Sequence, residues 1–242
     1  TAEVNLGSGK HTLTAKFVES DNMAAQTGTV EVTVNLASIS EAKVTVSGGP
    51  FTYDGKPKTP TVTVELNGKP LSGGTDYKLS YENSNGGADN LTNAGMVTVT
   101  ATGKGNYTGT KTATFTIAQS ATEFDGGVTV DKKDKTYTYG DTITVTVTPK
   151  ATGVAPANNA LVLAAPTAGQ MAIYEGDRQL TEAKDVTSGS ELTFTIDTAE
   201  VNLGSGKHTL TAKFVESDNM AAQTGTDYAY RAGGQPHEDY SE

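Results

Sequence analysis

The sequence predicts an all-β chain folded as tandem antiparallel β-sandwiches, and three observations lead there. Apolar residues alternate strictly with threonine in short runs. Turn residues punctuate those runs at near-regular intervals. The segment Thr1–Thr29, "TAEVNLGSGKHTLTAKFVESDNMAAQTGT", returns letter for letter as Thr198–Thr226, 197 positions on. Period two belongs to strands with one buried and one wet face, and β-branched threonine and valine suit that pleated surface. A duplication of this length reflects a tandem repeat, and a unit of 197 residues suits two sandwich domains repeated as a pair.

Taken in order, Thr1–Ala37 holds the first copy of the duplicated segment and then "TVEVTVNL" (Thr29–Leu36), whose Val30, Val32, Val34 and Leu36 share a face. This stretch is expected to be the C-terminal strands of a preceding copy of the second domain. Ser38–Ala118 is expected to form the first sandwich, domain A. Its strands include "VTVTAT" (Val97–Thr102) and "TATFTI" (Thr112–Ile117), and its turns fall at "LNGKP" (Leu66–Pro70), "SGGTD" (Ser72–Asp76) and "TGKGNYTG" (Thr102–Gly109). Gln119–Thr226 is expected to form domain B, with "TITVTVT" (Thr142–Thr148), "LTFTI" (Leu192–Ile196), "TLTAKFV" (Thr209–Val215) and a turn at "YEGDRQ" (Tyr174–Gln179). The alanines of Ala151–Gly169 suggest a helix, but its prolines and asparagines break one.

After Thr29 the first copy continues "VEVTVNL", whereas after Thr226 the second continues "DYAYRAGG". In the same register Asp227, Ala229 and Arg231 take the inward places, and an unpaired buried charge costs several kcal/mol. A one-residue slip would turn Tyr228 and Tyr230 inward instead. Domain B is therefore expected to lack its last strand, with Asp227–Glu242 a disordered tail or an extension foreign to both repeats.

Composition narrows the function. A hydrophobic share of 35%, below the globular norm, together with 27 glycines fits thin β-domains with many turns better than a helical enzyme. The net charge of −10, with Lys and Arg scattered, repels phosphate backbones and argues against nucleic acid. With 0 cysteines, disulfides, thiolate nucleophiles and Cys-based zinc sites are excluded. No apolar run reaches the roughly 18 residues that span a bilayer. Thr1 opens in mid-pattern without a secretory signal, so the chain is expected to be a piece of something longer.

Candidate chemistry is sparse. His11 and His208 occupy the same place in the two copies, beside a Gly-Ser-Gly turn, and His237 sits in the tail. Nothing near them resembles a nucleophile elbow or an HExxH helix, so no catalytic residue, cofactor or enzymatic activity is expected. "YENSNGGADN" (Tyr81–Asn90) gathers Glu82, Asn83, Asn85 and Asp89, oxygen donors of the kind calcium takes. Their spacing is not that of an EF-hand, and solvated turns account for them, so no metal is expected. Tyr53, Tyr77, Tyr81 and Tyr107 fall at strand starts and turns. Such tyrosines plug the end of a sandwich core more often than they stack on sugars.

Two family resemblances complete the reading. "FTYDGKPKTPTVTV" (Phe51–Val64), "GTDYKLSYEN" (Gly74–Asn83) and "NAGMVTVTATGKGNYTGTKTATFTI" (Asn93–Ile117) resemble a β-sandwich repeat common in surface proteins of Gram-positive gut bacteria. The family pattern runs almost directly from "YEN" to "NAG", so "SNGGADNLT" makes this loop longer than usual. "YTYGDTITVTVTP" (Tyr137–Pro149), "GQMAIYEGDRQL" (Gly169–Leu180) and "LGSGKHTLTAKFVESDNMAAQTGT" (Leu203–Thr226) are similar to a bacterial immunoglobulin-like repeat. The resemblance implies tandem immunoglobulin-like sandwiches of an adhesin-type protein at a bacterial cell wall or surface, working as a spacer or stalk with adhesion as an added role. Their partners would be neighbouring repeats, and the alternative reading is a module that binds a host glycan or protein. The mismatch between "VEVTVNL" and "DYAYRAG" adds a further expectation, head-to-tail strand exchange between chains.

Overall fold

The computed structural model describes residues 6–154 and 169–232, and among them there is no helix. The strands of the first half are β1 (Gly9–Phe17), β2 (Gln26–Val34), β3 (Ala37–Ser38), β4 (Lys43–Ser47), β5 (Phe51–Thr52), β6 (Thr61–Leu66), β7 (Lys69–Pro70), β8 (Tyr77–Asn83), β9 (Gly87–Ala88), β10 (Gly95–Gly103), β11 (Tyr107–Thr108) and β12 (Thr110–Ala118). Those of the second half are β13 (Thr122–Val130), β14 (Thr136–Tyr137), β15 (Thr142–Ala151), β16 (Gln170–Glu175), β17 (Arg178–Gln179), β18 (Lys184–Asp185), β19 (Leu192–Asp197), β20 (Gly206–Phe214) and β21 (Gln223–Arg231). The chain divides into two compact units. Unit 1 takes Thr1–Gly49, Thr59–Asn90 and Met96–Phe115; unit 2 takes Pro50–Lys58, Leu91–Gly95 and Thr116–Glu242.

In unit 1, β10 pairs antiparallel with β8 from Val97↔Asn83 to Gly103↔Tyr77, and a separate sheet runs β4–β6–β7. Alternation decides which side is buried: Val97, Val99 and Ala101 of β10 are fully buried while the threonines between them are not. The core gathers Ile39, Ala42, Val64, Tyr77 and Ala101, with Leu66, Leu79 and Tyr107 against it. Between β6 and β7 the turn residues Asn67 and Gly68 both adopt positive φ, 51° and 74°. That is the two-residue turn that Asn-Gly favours, because its twist matches the strands. The same unit holds β1 and β2 as a two-stranded antiparallel sheet.

Unit 2 is an immunoglobulin-like sandwich. One sheet runs β13–β15–β19 and the other β14–β21–β20–β16–β17, with β18 also on β16. Ile143, Val145 and Val147 of β15, Phe194 and Ile196 of β19, and Met171 and Ile173 of β16 fill the space between them with Leu210, Ala212 and Phe214 of β20. Burying one such side chain stabilises the fold by about 1.5–3 kcal/mol. The glycine pair Gly126–Gly127, at φ 75° and 77°, shifts the register of β13 against β15 between Asp125 and Val128. A bulge of that kind breaks the period-two pattern, which is why this strand is hard to see in the sequence.

The C-terminal residues depart from expectation. Asp227–Arg231 belongs to β21, which pairs along its whole length with β20, so the sandwich has a closing strand. The register keeps Asp227, Ala229 and Arg231 inward, and neighbours on other strands make this tolerable. Lys135 forms an ion pair with Asp227, Ala229 is fully buried, and the Arg231 guanidinium lies 5.2 Å from the Tyr139 ring and donates to the Gly204 carbonyl. Gly233–Glu242, including His237, and most of the alanine-rich stretch, 155–168, lie outside the described residues.

Gly225 gives the packing a sharp test. A Cβ there would sit 2.6 Å from the Phe124 ring and 2.9 Å from Val128, whereas at Gly28, its counterpart in the first copy, nothing lies within 4 Å. Gly225→Ala is expected to lower unfolding stability by about 1–3 kcal/mol. Gly28→Ala, the same change in the same sequence, is expected to leave it unchanged or slightly raised. Urea denaturation of the two variants measures the difference.

Candidate functional site

A dense polar cluster lies where β14 enters the sandwich, and it was not legible as a site in the sequence. The Tyr137 ring is 1% exposed, and its hydroxyl donates to Asp131 Oδ1 at 2.9 Å. The same carboxylate oxygen accepts the Thr144 amide at 2.9 Å, while the Tyr137 oxygen accepts the Lys132 amide at 3.3 Å. Lys132 Nζ sits 4.6 Å from the centre of the Tyr137 ring and 2.6 Å from Asp141 Oδ2, which also accepts the Thr138 amide. Behind it the fully buried Thr198 hydroxyl accepts from the Gly140 amide and donates to the Asp141 carbonyl, both at 2.9 Å.

Electrostatics mark this cluster as a clamp. Burial pushes the Asp131 carboxyl up, but the Thr144 amide and the Tyr137 hydroxyl outweigh it and hold the group below its ordinary value. Lys132 and the Thr138 amide hold Asp141 low as well. Burial drives the Tyr137 phenol well above its usual range. A neutral phenol beside an ionised carboxylate keeps its proton as the hydrogen bond between them. Side chains here bond both to one another and to the backbone of neighbouring segments, so the cluster fastens β14 to β15 and to the turn before β20.

The two described histidines, His208 and His11, are also held by hydrogen bonds. His208 Nδ1 is 2.5 Å from Glu175 Oε1 on the adjacent β16, and Nε2 is 2.8 Å from the Gly204 carbonyl. His11, its duplicate, keeps the second contact, with Nε2 2.6 Å from the Gly7 carbonyl. Both nitrogens of His208 face acceptor oxygens and neither faces a hydroxyl, whereas a general base would need a nucleophile in reach. Glu175 lies 33 residues away, a separation no local motif reveals.

The oxygen-rich loop is also tied internally. Asn83, 2% exposed, donates from Nδ2 to the Asn90 carbonyl at 3.1 Å and accepts the Asn85 amide at 2.8 Å. Asp89 adopts φ 55°, its amide donating to the Tyr81 carbonyl at 2.8 Å, and Glu82 and Asp89 are exposed. Among the described residues no three His, Cys, Asp or Glu side chains come together as a metal cage. Of the tyrosines singled out in the sequence, Tyr77 is buried in the core of unit 1 with Tyr107 against it, Tyr53 packs on the core of unit 2, and Tyr81 is half-buried. They form no surface row. Among the described residues the exposed tyrosines are others: Tyr139, Tyr228 and Tyr230, at 54%, 43% and 49%. Tyr228 lies between two ammonium groups, Lys135 at 4.3 Å and Lys207 at 4.5 Å.

No family model matches the sequence, and no curated protein gives a significant match. Among solved structures, the chain is similar to domains 4 and 5 of the S-layer protein SbsC, with 18% identity, a TM-score of 0.29, and coverage of 81% of this chain and 100% of that one. It is also similar to the titin Ig tandem domains A164-A165, with 16% identity, a TM-score of 0.26, and coverage of 75% of this chain and 90% of that one.

The clamp makes stability depend on pH at both ends. Asp131 and Asp141 are held below 3.8 in the folded state, so their contribution is full above that value and is lost as the pH falls through the lower folded one. Tyr137 is raised above 10.0, so its contribution is full below 10.0 and is lost as the pH climbs past it. Asp131→Asn is expected to flatten the acid limb and Tyr137→Phe the alkaline limb. The second change also costs about 1–2 kcal/mol at neutral pH. Thermal melts across the pH range read both.

Proposed function

We propose that the chain is a load-bearing spacer repeat of a bacterial cell-surface protein, placed outside the cell with further repeats as its neighbours. One observation carries this reading. In unit 2 the closing strand β21 runs parallel to β14, with Thr136 opposite Tyr230 and Tyr137 opposite Arg231. The Tyr230 amide donates to the Lys135 carbonyl at 2.6 Å and the Ala232 amide to the Tyr137 carbonyl at 2.9 Å. Tension that drags β14 toward its N-terminal end and β21 toward its C-terminal end slides two parallel strands past each other. Their hydrogen bonds then resist together in shear, where a hairpin pulled open would lose them one at a time. The Asp131–Tyr137 clamp anchors the same short strand. The duplicated segment and the sequence resemblance support a repeated module, and with 0 cysteines no disulfide shares its load.

Single-molecule pulling on the intact chain tests this. A discrete unfolding peak is expected for unit 2, and Ala232→Pro, which deletes one clasping amide donor, is expected to lower its force while leaving the solution melt nearly unchanged. A force that does not move with Ala232→Pro argues against the reading.

A second reading has its own support. Tyr228 and Tyr230 project from the outer face of β21 beside Lys135 and Lys207, an aromatic and cationic surface of the kind that stacks on sugar rings and pairs with acidic groups. Adhesion to a host glycan or protein would use this face. A glycan array probed with the wild type and with Tyr228→Ala/Tyr230→Ala is expected to show acidic glycans bound by the first alone. An array blank for both leaves the spacer role by itself.

A further inference from the structure

The duplicated segment shows one hairpin in two surroundings. Its register is the same in both: Leu13 faces Val30 as Leu210 faces Asp227, and Phe17 faces Gln26 as Phe214 faces Gln223. In unit 2 Leu210, Phe214 and Met220 are 0%, 3% and 5% exposed; in the first copy Leu13, Phe17 and Met23 are 41%, 42% and 59% exposed. The edge differs too. Thr211–Phe214 pair with Tyr174–Met171 of β16, whereas among the described residues the sheet of β1 holds β2 and no other strand. Gly28 keeps the notch that Gly225 opens for Phe124. The free hairpin thus carries an apolar face, an open edge and a glycine notch, and the surface that fits all three is already seen in this chain beneath the same letters.

We propose that β1–β2 docks as the closing hairpin of the sandwich body β13–β19 in a second copy of this chain, taking the place of that copy's β20–β21. The proposal is independent of the spacer reading. It moves a whole hairpin rather than the single strand expected from the sequence, because β21 is present and would have to leave together with β20. The two hairpins are not equal in the closing strand. Where β21 brings Asp227, which needs Lys135 across from it, β2 brings Val30, which needs no partner. Where β21 fits the fully buried Ala229, β2 must fit the larger Val32. A chain's own hairpin closes at the high effective concentration of a tether, so exchange belongs to crowded chains and to chains refolding from the open state.

The test uses three versions of the 242-residue chain, wild type, Gly225→Leu and Gly225→Leu/Leu13→Asp, each unfolded in urea and refolded at rising chain concentration. Leucine at 225 collides with Phe124, so the variant's own β21 is rejected while β2, with Gly28, is still accepted. Light scattering is expected to show Gly225→Leu at whole multiples of the chain mass with sheet circular dichroism recovered. Adding Leu13→Asp, which alters only the face of the donated hairpin, is expected to return it to one chain mass. A Gly225→Leu protein that stays at one chain mass at every concentration overturns the proposal, and so does association that ignores Leu13→Asp. A second measurement avoids the collision. Lys16→Cys and Ala172→Cys chains, otherwise wild type, are refolded together and oxidised, since Lys213 lies opposite Ala172 in the native sheet. Disulfide-linked pairs of one chain of each kind are expected, with loss of the link on Leu13→Asp. Native refolding without mixed pairs contradicts it.

Discussion

A two-stranded hairpin in water is marginal, and a sandwich needs one to close it. That constraint organises this molecule. The strands alternate so that each sheet offers one apolar face, and the face has value only when another sheet covers it. In unit 2 the β20–β21 hairpin meets that need twice, laying Leu210 and Phe214 on the opposite sheet and giving its edge to β16. The identical letters of β1, and of β2 as far as Thr29, keep the pairing and go without the cover. Local sequence therefore sets the hairpin and its register, while tertiary context sets how much it is worth.

The same constraint explains the uneven C-terminal strand. Replacing an apolar closing strand by "DYAYR" puts a carboxylate and a guanidinium on the core side. The fold accepts them because Lys135 reaches Asp227 and Arg231 finds Tyr139 and a carbonyl. Only Ala229, the smallest of the three, goes to the fully buried place between them. Inward geometry decided by parity thus becomes tolerable through partners from distant segments. Side chains alone could not reveal those partners.

Much of the fold could be read from letters. Alternation marked β15, β19 and β20, and Asn67-Gly68 marked a hairpin turn that the backbone adopts with the expected positive φ. What escaped reading has physical causes. β13 is split by a glycine bulge, β5 and β14 are two-residue strands held by parallel partners far along the chain, and β21 lacks an apolar row. The Asp131–Tyr137–Lys132–Asp141 cluster consists of ordinary turn residues until β14 and β15 bring them together. His208 likewise gains its meaning from Glu175 on another strand. The fastening of the sheets is a long-range property.

Amide hydrogen exchange on the intact chain tests this account most directly, because the duplicated segment supplies its own control. Leu13, Ala15 and Phe17 have the same neighbours in sequence as Leu210, Ala212 and Phe214, so their intrinsic exchange rates match. The account predicts that the β20 amides exchange only with global opening of unit 2, while those of β1 exchange through local fraying, orders of magnitude sooner. Equal protection in the two copies would contradict it, since the hairpin would then owe its stability to its own letters and not to the sheet that covers it.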